Sequence, residues 1–394
     1  MNIAIVTNFF PPIQTGSCFW AMNLARAHRK AGDDVVVVTI GTGEQVLTET
    51  IDDVTVYRLP AVWKLPKLQF FLNFDSFYLI NDRRNRESLG TILRDHQVEI
   101  VHQSNHLLDS LFMVRDVCKR LDLPWISTLH GSITHSGNTA YNTIMRGVDR
   151  LVIKKAVDAC AALVSLDAEL VRYVERTYQP RRSALIPLCC MDADFFSDLP
   201  TANPERQIMH GDTSGFSIAS IGHVTENRNR VELIRAIADL RDEGEIGHLD
   251  IVGRVLSQAP VELGKCLGLT DQITFHGELP QKEMLQLLAS AQVEAHLFFM
   301  PGLGCATQEA MAVGLPTICH GYEKLYGDVP LRHGENIFFA DPKNPEEIPA
   351  ILLELAQNPE RRKSVGSNAR QLVGEHLVWE VVLTKFQDLY ASVM

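Results

Sequence analysis

Short runs of apolar residues recur along the chain, and longer stretches with apolar positions every third or fourth residue separate them. Ile3–Thr7 leads through a loop at Gly16 into a helical pattern over Ser17–Ala31, closed by Gly32, and then into Asp34–Ile40. A strand, a helix and a second strand buried on both faces make one right-handed βαβ unit. Further strands are expected at Val98–His102, Trp125–Leu129 and Ala161–Ser165, with Leu185–Pro187 ending the sheet. The polar stretch Leu199–Gly215, containing Pro200, Pro204 and Gly211, reads as a linker. The alternation then restarts. Strands are expected at Phe216–Ile221, Leu249–Val252, Ile273–Phe275, Val293–Phe298, Thr317–Cys319 and Asn336–Phe339. Helices are expected at Val231–Glu243, Gln281–Ala291 and Glu346–Gln357. The pattern predicts an α/β protein of two doubly wound, Rossmann-like domains, 1–198 and 199–375, with a closing segment 376–394. Sheets facing one another are expected to leave a ligand cleft at the carboxyl ends of their strands.

Length agrees, because 394 residues exceed one ordinary core. The formal net charge of −11 argues against nucleic acid as a partner, since phosphate backbones need basic surface. Eight cysteines without CxxC spacing, two of them adjacent at Cys189 and Cys190, suit buried thiols in a reducing compartment. Met1 leads directly into a strand, leaving no room for a signal peptide, and no apolar run approaches the roughly 18 residues of a spanning helix. A cytoplasmic protein is expected, without cofactor.

The most informative chemistry lies at Pro301-Gly-Leu-Gly304 followed by Cys305–Pro316. A glycine-containing loop runs into a short helix, and the backbone N–H groups of its first turn at Gly302, Gly304, Cys305, Ala306 and Thr307 suit a phosphate. Glu309 lies one turn on, in reach of a sugar hydroxyl; Gly314 and Pro316 end the helix.

These landmarks fall in an order that resembles retaining glycosyltransferases of family 4. Ile3–Pro12 with Gly16, Thr128-Leu-His-Gly131, Ile186-Pro187 with Asp192–Phe196, Phe275-His-Gly277, Glu309–Pro316 and His376–Trp379 carry the likeness over nearly the whole chain. The resemblance implies the GT-B fold, a nucleotide-diphosphate sugar as donor, a glycan or lipid-linked acceptor hydroxyl, no bound metal, and a setting such as polysaccharide biosynthesis. It also implies that the tail after Trp379 returns to pack on the first domain. UDP is favoured over GDP.

Such enzymes stabilise the leaving diphosphate with helix N-termini and fixed cations. Family members carry an Arg after a Gly and a Lys five residues later; here Gly222 is followed by His223, and Arg228 takes the Lys position. An imidazole with a pKa of about 6.5 is mostly neutral at pH 7. Either a bound diphosphate raises the His223 pKa, or Arg230 or Arg254 supplies the charge; the plainer reading of both arginines is exposed surface charge. Pro301 stands where members place a Glu near the donor sugar. The resemblance further assigns His130 to the reacting sugar, with His135 nearby, the Gln14–Ser17 loop with Gly16 to the diphosphate, Glu309 to ribose, and His276, Gly277 and Leu279 to the base through main-chain contacts.

The acceptor is expected in the first domain. Trp63–Phe74, with Lys64, Lys67 and the following Arg83, Arg84 and Arg86, mixes aromatic and basic residues as a peripheral membrane contact would, or as an amphipathic helix on the sheet would. Arg146, Arg150, Lys154 and Lys155 form a second basic face at helical spacing, which a solvated helix also explains. Two other readings stay open: a catalytically weakened relative acting as a nucleotide-binding or scaffold subunit, favoured by His223 and Pro301, and a nucleotide-sugar epimerase.

Overall fold

Strand and helix alternate in both halves of the computed structural model, which describes residues 1–12, 16–65, 77–105, 109–132, 139–202, 215–244 and 247–394. It divides into two units, Met1–Cys189 with Trp379–Met394, and Cys190–Val378.

In the first unit the strands are β1 (Asn2–Thr7), β2 (Asp34–Gly41), β3 (Leu47–Ile51), β4 (Val54–Pro60), β5 (Trp63–Leu65), β6 (Phe77–Leu79), β7 (Ile100–Ser104), β8 (Trp125–Leu129), β9 (Ala162–Ser165) and β10 (Ser183–Leu185). Among the described residues the main sheet has the order β10-β9-β8-β7-β1-β2-β4-β3, all parallel except the β3–β4 pair. The Val-rich β2 is buried along all but its first residue, as a central strand covered on both faces must be. Helices α1 (Gly16–Lys30), α2 (Arg83–Asp95), α3 (Ser110–Leu121), α4 (Thr139–Val148), α5 (Lys154–Val157) and α6 (Ala168–Thr177) belong to the same unit, with a π-helical turn over Asp149–Ile153 joining α4 to α5. Local signals set several boundaries: Gly32, at φ +88, closes α1, and the Asp82 side chain caps α2 by accepting from the Asn85 amide at 2.7 Å.

The second unit contains α7 (Ala193–Asp198), β11 (Phe216–Ile221), α8 (Arg230–Asp242), β12 (Gly247–Val252), α9 (Ala259–Cys266), β13 (Ile273–Gly277), α10 (Gln281–Ser290), β14 (Val293–His296), α11 (Cys305–Val313), β15 (Thr317–Cys319), β16 (Phe338–Phe339), α12 (Glu347–Gln357) and α13 (Pro359–His376). Its parallel sheet runs β13-β12-β11-β14-β15-β16 among the described residues. The boundary lies at Cys189/Cys190, earlier than the polar linker suggested. The reason is α7: Arg370 lies over the Phe196 ring at 4.8 Å, which ties that helix to α13. Residues 203–214 of the expected linker lie outside the described residues.

The last helix, α14 (Trp379–Ala391), is part of the first unit. Trp379, Val382, Leu383, Phe386 and Tyr390 enter the core formed by α1, β1 and β7. A buried polar chain fixes it: the Tyr390 hydroxyl lies 2.6 Å from His102 Nδ1, and His102 Nε2 lies 2.7 Å from Thr128 Oγ1. Burial holds the His102 pKa well below its usual value, so the ring is neutral.

Two expectations are revised. The hairpin β3–β4 was not expected; its turn, Asp52-Asp53, holds the φ of 50 and 60 that a two-residue hairpin loop requires. The cysteines are free, but Cys266 is exposed and Cys190 and Cys305 half-buried, so burial does not describe them all. Among the described residues no helix is long and apolar enough to cross a membrane.

Phe386→Ala is expected to lower stability by about 3–5 kcal/mol through the cavity it leaves. Tyr390→Phe, which strands His102 Nδ1, is expected to lower it by about 1–3 kcal/mol. Urea unfolding followed by tryptophan fluorescence measures both; losses under about 1 kcal/mol in both would place α14 outside that core.

Candidate functional site

In the second unit β11 and β14 are neighbours although β12 and β13 intervene in sequence, so the strand order reverses between them, and ligands of such sheets bind beyond that point. Gly222-His223 follow β11, Gly253-Arg254 follow β12, and His296 ends β14. Gly222 and Gly253 have φ +121 and +130. A Cβ on Gly253 would stand 2.5 Å from the Gly222 carbonyl carbon, so the two loops pack backbone on backbone as glycine alone permits.

Arg228 ends a 3-10 turn, Glu226–Arg228. Asn229 takes the left-handed conformation at φ 48, and its side-chain Nδ2 donates to the Leu297 carbonyl at 2.8 Å, while the Phe299 backbone amide donates to the Asn227 carbonyl at 2.9 Å. These bonds fasten the turn to the segment after β14. The Arg228 guanidinium then lies against Gly222, where a Cβ would meet its Cζ at 2.9 Å. Its Nη1 is 2.8 Å from His296 Nε2 and 3.2 Å from Nδ1, and its Cζ sits 5.5 Å from the centre of the Phe298 ring. Burial, with Arg228 and Arg230 nearby, lowers the His296 pKa to about 3, so a neutral imidazole receives the guanidinium N–H.

His296 also lies beside α11: its Nε2 is 3.5 Å from where a Cβ on Gly304 would stand. Gly304 caps α11 in an extended conformation without a side-chain hydrogen bond, leaving the amides of Cys305, Ala306 and Thr307 with no intrahelical acceptor. Arg228 and the positive end of α11 therefore share one neighbour, an arrangement suited to an anion of two phosphates. Gly302 does not belong to it as expected, because its amide donates to the His320 carbonyl at 3.0 Å. Glu309, one turn along α11, accepts from Gln281 at 3.1 Å, and burial raises its pKa against that bond.

Of the remaining cations, Arg230 departs from the plainer reading and Arg254 agrees with it. Arg230 is not exposed surface charge; it is 1% exposed and donates to the Gly222 carbonyl at 3.3 Å. Arg254 is exposed and paired with Glu278 at 3.1 Å. His223 Nδ1 accepts the Arg254 amide at 3.1 Å, and burial, then Arg254, lowers its pKa, so the protein's own groups favour a neutral ring. On the expected base-binding strand, His276 Nε2 is held by Asp250 at 2.6 Å and the Gly277 carbonyl accepts the Gly253 amide at 2.6 Å, so those two groups are engaged within the protein; Leu279 follows, half-buried. Sequence reading missed His296 and Glu294. Their signal was two ionisable residues two apart within an apolar strand, which places both on one face.

In the first unit His130 follows β8, its Nε2 3.0 Å from Ser104 Oγ and its ring edge-on to Trp20 at 4.8 Å. Burial lowers its pKa to about 4. Gly16 opens α1 and is exposed, whereas Gln14, His135 and most of Trp63–Phe74 lie outside the described residues. Among the described residues no three His, Cys, Asp or Glu side chains are arranged to hold a metal ion. The His130 ring is expected to stay neutral from pH 8 down to about pH 5 and to take a proton only nearer its pKa of about 4. Ring nitrogen shifts by NMR read this directly, and a midpoint above about 6 would contradict the burial argument.

Two family profiles match: Glycosyl transferase 4-like domain over residues 19–189 and Glycosyl transferases group 1 over residues 205–372. Among curated proteins, MMP α-(1→4)-mannosyltransferase of Mycolicibacterium hassiacum is 29% identical over 159 residues, covering 40% of this chain and 38% of that protein. N-acetyl-α-D-glucosaminyl L-malate synthase of Bacillus anthracis is 25% identical over 136 residues, 34% of each. The chain thus matches well under half the length of these relatives. Sucrose-phosphate synthase from Thermosynechococcus elongatus has a similar structure, with a TM-score of 0.78 at 16% identity over 100% of this chain and 99% of that one. HepE of Anabaena in complex with UDP gives 0.74 at 15% identity over 100% of both. With one family profile on each unit and this fold over the full length, the chain belongs to the GT-B glycosyltransferases of the family 4 type.

Proposed function

We propose that the chain is a retaining, metal-independent glycosyltransferase moving a hexose from a UDP-sugar to a hydroxyl of a glycan or lipid-linked acceptor. The observation that carries this reading is the His296-centred cradle, where the Arg228 guanidinium and the uncapped start of α11 adjoin. Both groups are fixed before any ligand arrives, so they stabilise charge building on a leaving diphosphate without reorganising. Glu309 takes the ribose hydroxyls, and neutral His130 hydrogen-bonds the donor sugar. The resemblance assigns Gly16 to the diphosphate. The choice of UDP is supported by HepE, solved with UDP and with UDP-glucose. Retention follows the resemblance to family 4, whose members retain configuration.

The lipid-linked form of acceptor has its own support in the first unit. Ile144, Leu151 and Val152 are 62%, 71% and 48% exposed, beside exposed Arg146, Arg150 and Lys155. The π-helical turn directs Asp149 inward, where it accepts from the Tyr173 and Tyr178 hydroxyls. An apolar stripe flanked by cations fits an anionic membrane surface. A second reading, a nucleotide-binding subunit of reduced turnover, is favoured by Pro301 and by the neutrality of His223.

Calorimetry is expected to show UDP binding in the micromolar to millimolar range, tighter than GDP. Arg228→Ala should weaken it by at least about tenfold, the loss expected for charge-assisted hydrogen bonds, and Glu309→Ala by less. Unchanged affinity in both variants would reject the site. Release of UDP from donor that acceptor does not accelerate would favour the second reading. In flotation with anionic vesicles, Leu151→Asp should reduce recovery; no flotation of the wild type at low salt removes the membrane contact.

A further inference from the structure

Beneath the Arg228 cradle lies a set of charged groups with no direct part in holding a phosphate. Glu294, on β14, has no exposed surface, and neither carboxyl oxygen has a hydrogen-bond partner among the described residues. Arg230 is nearly as isolated: Nη2 reaches the Gly222 carbonyl, but Nε and Nη1 are buried without partners among the described residues. A lone buried charge is strongly disfavoured, whereas two of opposite sign in one region offset each other.

The groups around Glu294 come from several elements. Arg228 and Arg230 approach from the turn before α8 and from its first residue, and His296 stands two residues along the same strand. The Ile221 amide approaches from β11 without completing a hydrogen bond, and Thr317 and Cys319 neighbour the site on β15. Burial keeps His296 neutral and pushes the Cys319 thiol well up. Burial lowers the pKa of Arg228 and, with Arg228 alongside, that of Arg230 further, yet both remain cations, because a guanidinium keeps its proton in proteins. Burial pushes the Glu294 carboxyl up to about 8, against the pull of Arg230, the Ile221 amide and Arg228. Within this set Glu294 is the group whose charge changes in mildly alkaline solution.

We propose that Glu294 is a positioning residue of the diphosphate site and, in mildly alkaline solution, takes up one proton from solvent as that site fills. Ionised, its carboxylate competes from below for the positive charge of Arg228 and Arg230. A diphosphate arriving above claims that charge, and the carboxylate takes a proton from water to become a neutral carboxyl. Binding then favours the protonated form, so affinity falls as pH rises through the Glu294 pKa. This inference rests on the reading of the cradle as a nucleoside diphosphate site.

The test is UDP calorimetry between about pH 7.5 and about pH 9 in buffers of different ionisation enthalpy. The wild type is expected to lose roughly tenfold in affinity over that interval and to take up close to one proton at its alkaline end. Glu294→Gln should take up none, and its affinity should hold within about twofold across the same interval, whatever its starting value. A difference infrared spectrum of the wild type should gain a protonated-carboxyl band on UDP addition. Equal pH dependence in both proteins overturns the proposal, and so does no proton uptake by the wild type, an outcome that holds whether or not the variant folds. Failure of the wild type to bind UDP at any pH rejects the cradle itself, and this inference with it.

Discussion

A guanidinium confined between a glycine, an imidazole and an aromatic ring has few directions in which to direct its charge. Arg228 is in that position: Gly222 lies against it, His296 receives one N–H and Phe298 lies under it. Much of the second unit's local geometry serves this placement. Two glycines at positive φ let neighbouring loops close on each other, and a left-handed Asn229 turns the chain from the 3-10 turn into α8. His296 acts as a spacer as well as an acceptor, since it touches the start of α11 on its other side.

The first unit uses buried polar groups differently. His102 bridges α14 to β8 through Tyr390 and Thr128, and the ring of His28 stacks on Tyr390 while its Nδ1 meets Asp33 at 2.7 Å. These bonds lie inside an aromatic cluster of Trp20, Trp379 and Phe386. Apolar packing supplies the area, and the polar contacts select one rotation of α14 about its axis.

Much of the architecture was legible in sequence because parallel strands buried on both faces read as unbroken apolar runs. Trp125–Leu129, Phe216–Ile221 and Thr317–Cys319 are strands over the expected residues. Hairpin β3–β4 was not legible, since its edge strand is largely exposed and its turn is Asp-Asp rather than a glycine pair. At the site, the helix start at Cys305 was legible from the glycine-containing loop before it, and Arg228 was singled out by the resemblance to family 4. The burial of Arg230 was not legible. One position separates the side chains of Arg228 and Arg230 in sequence, yet α8 begins between them, and that is what sends the second inward. Glu294 and His296 were hidden for a related reason: their strand was recognised, but which residues share a face with which helix depends on long-range packing.

The membership of α14 in the first unit has a consequence for how the chain is made. Its residues follow the whole of the second unit in the sequence, so a ribosome delivers them after that unit. Until then the surface that receives Trp379, Phe386 and Tyr390 stays uncovered on an otherwise formed sheet, while the second unit is already free to close on itself. Maturation of the first half thus waits for translation of the second, and a nascent chain carries an open apolar socket that favours chaperone attendance during synthesis.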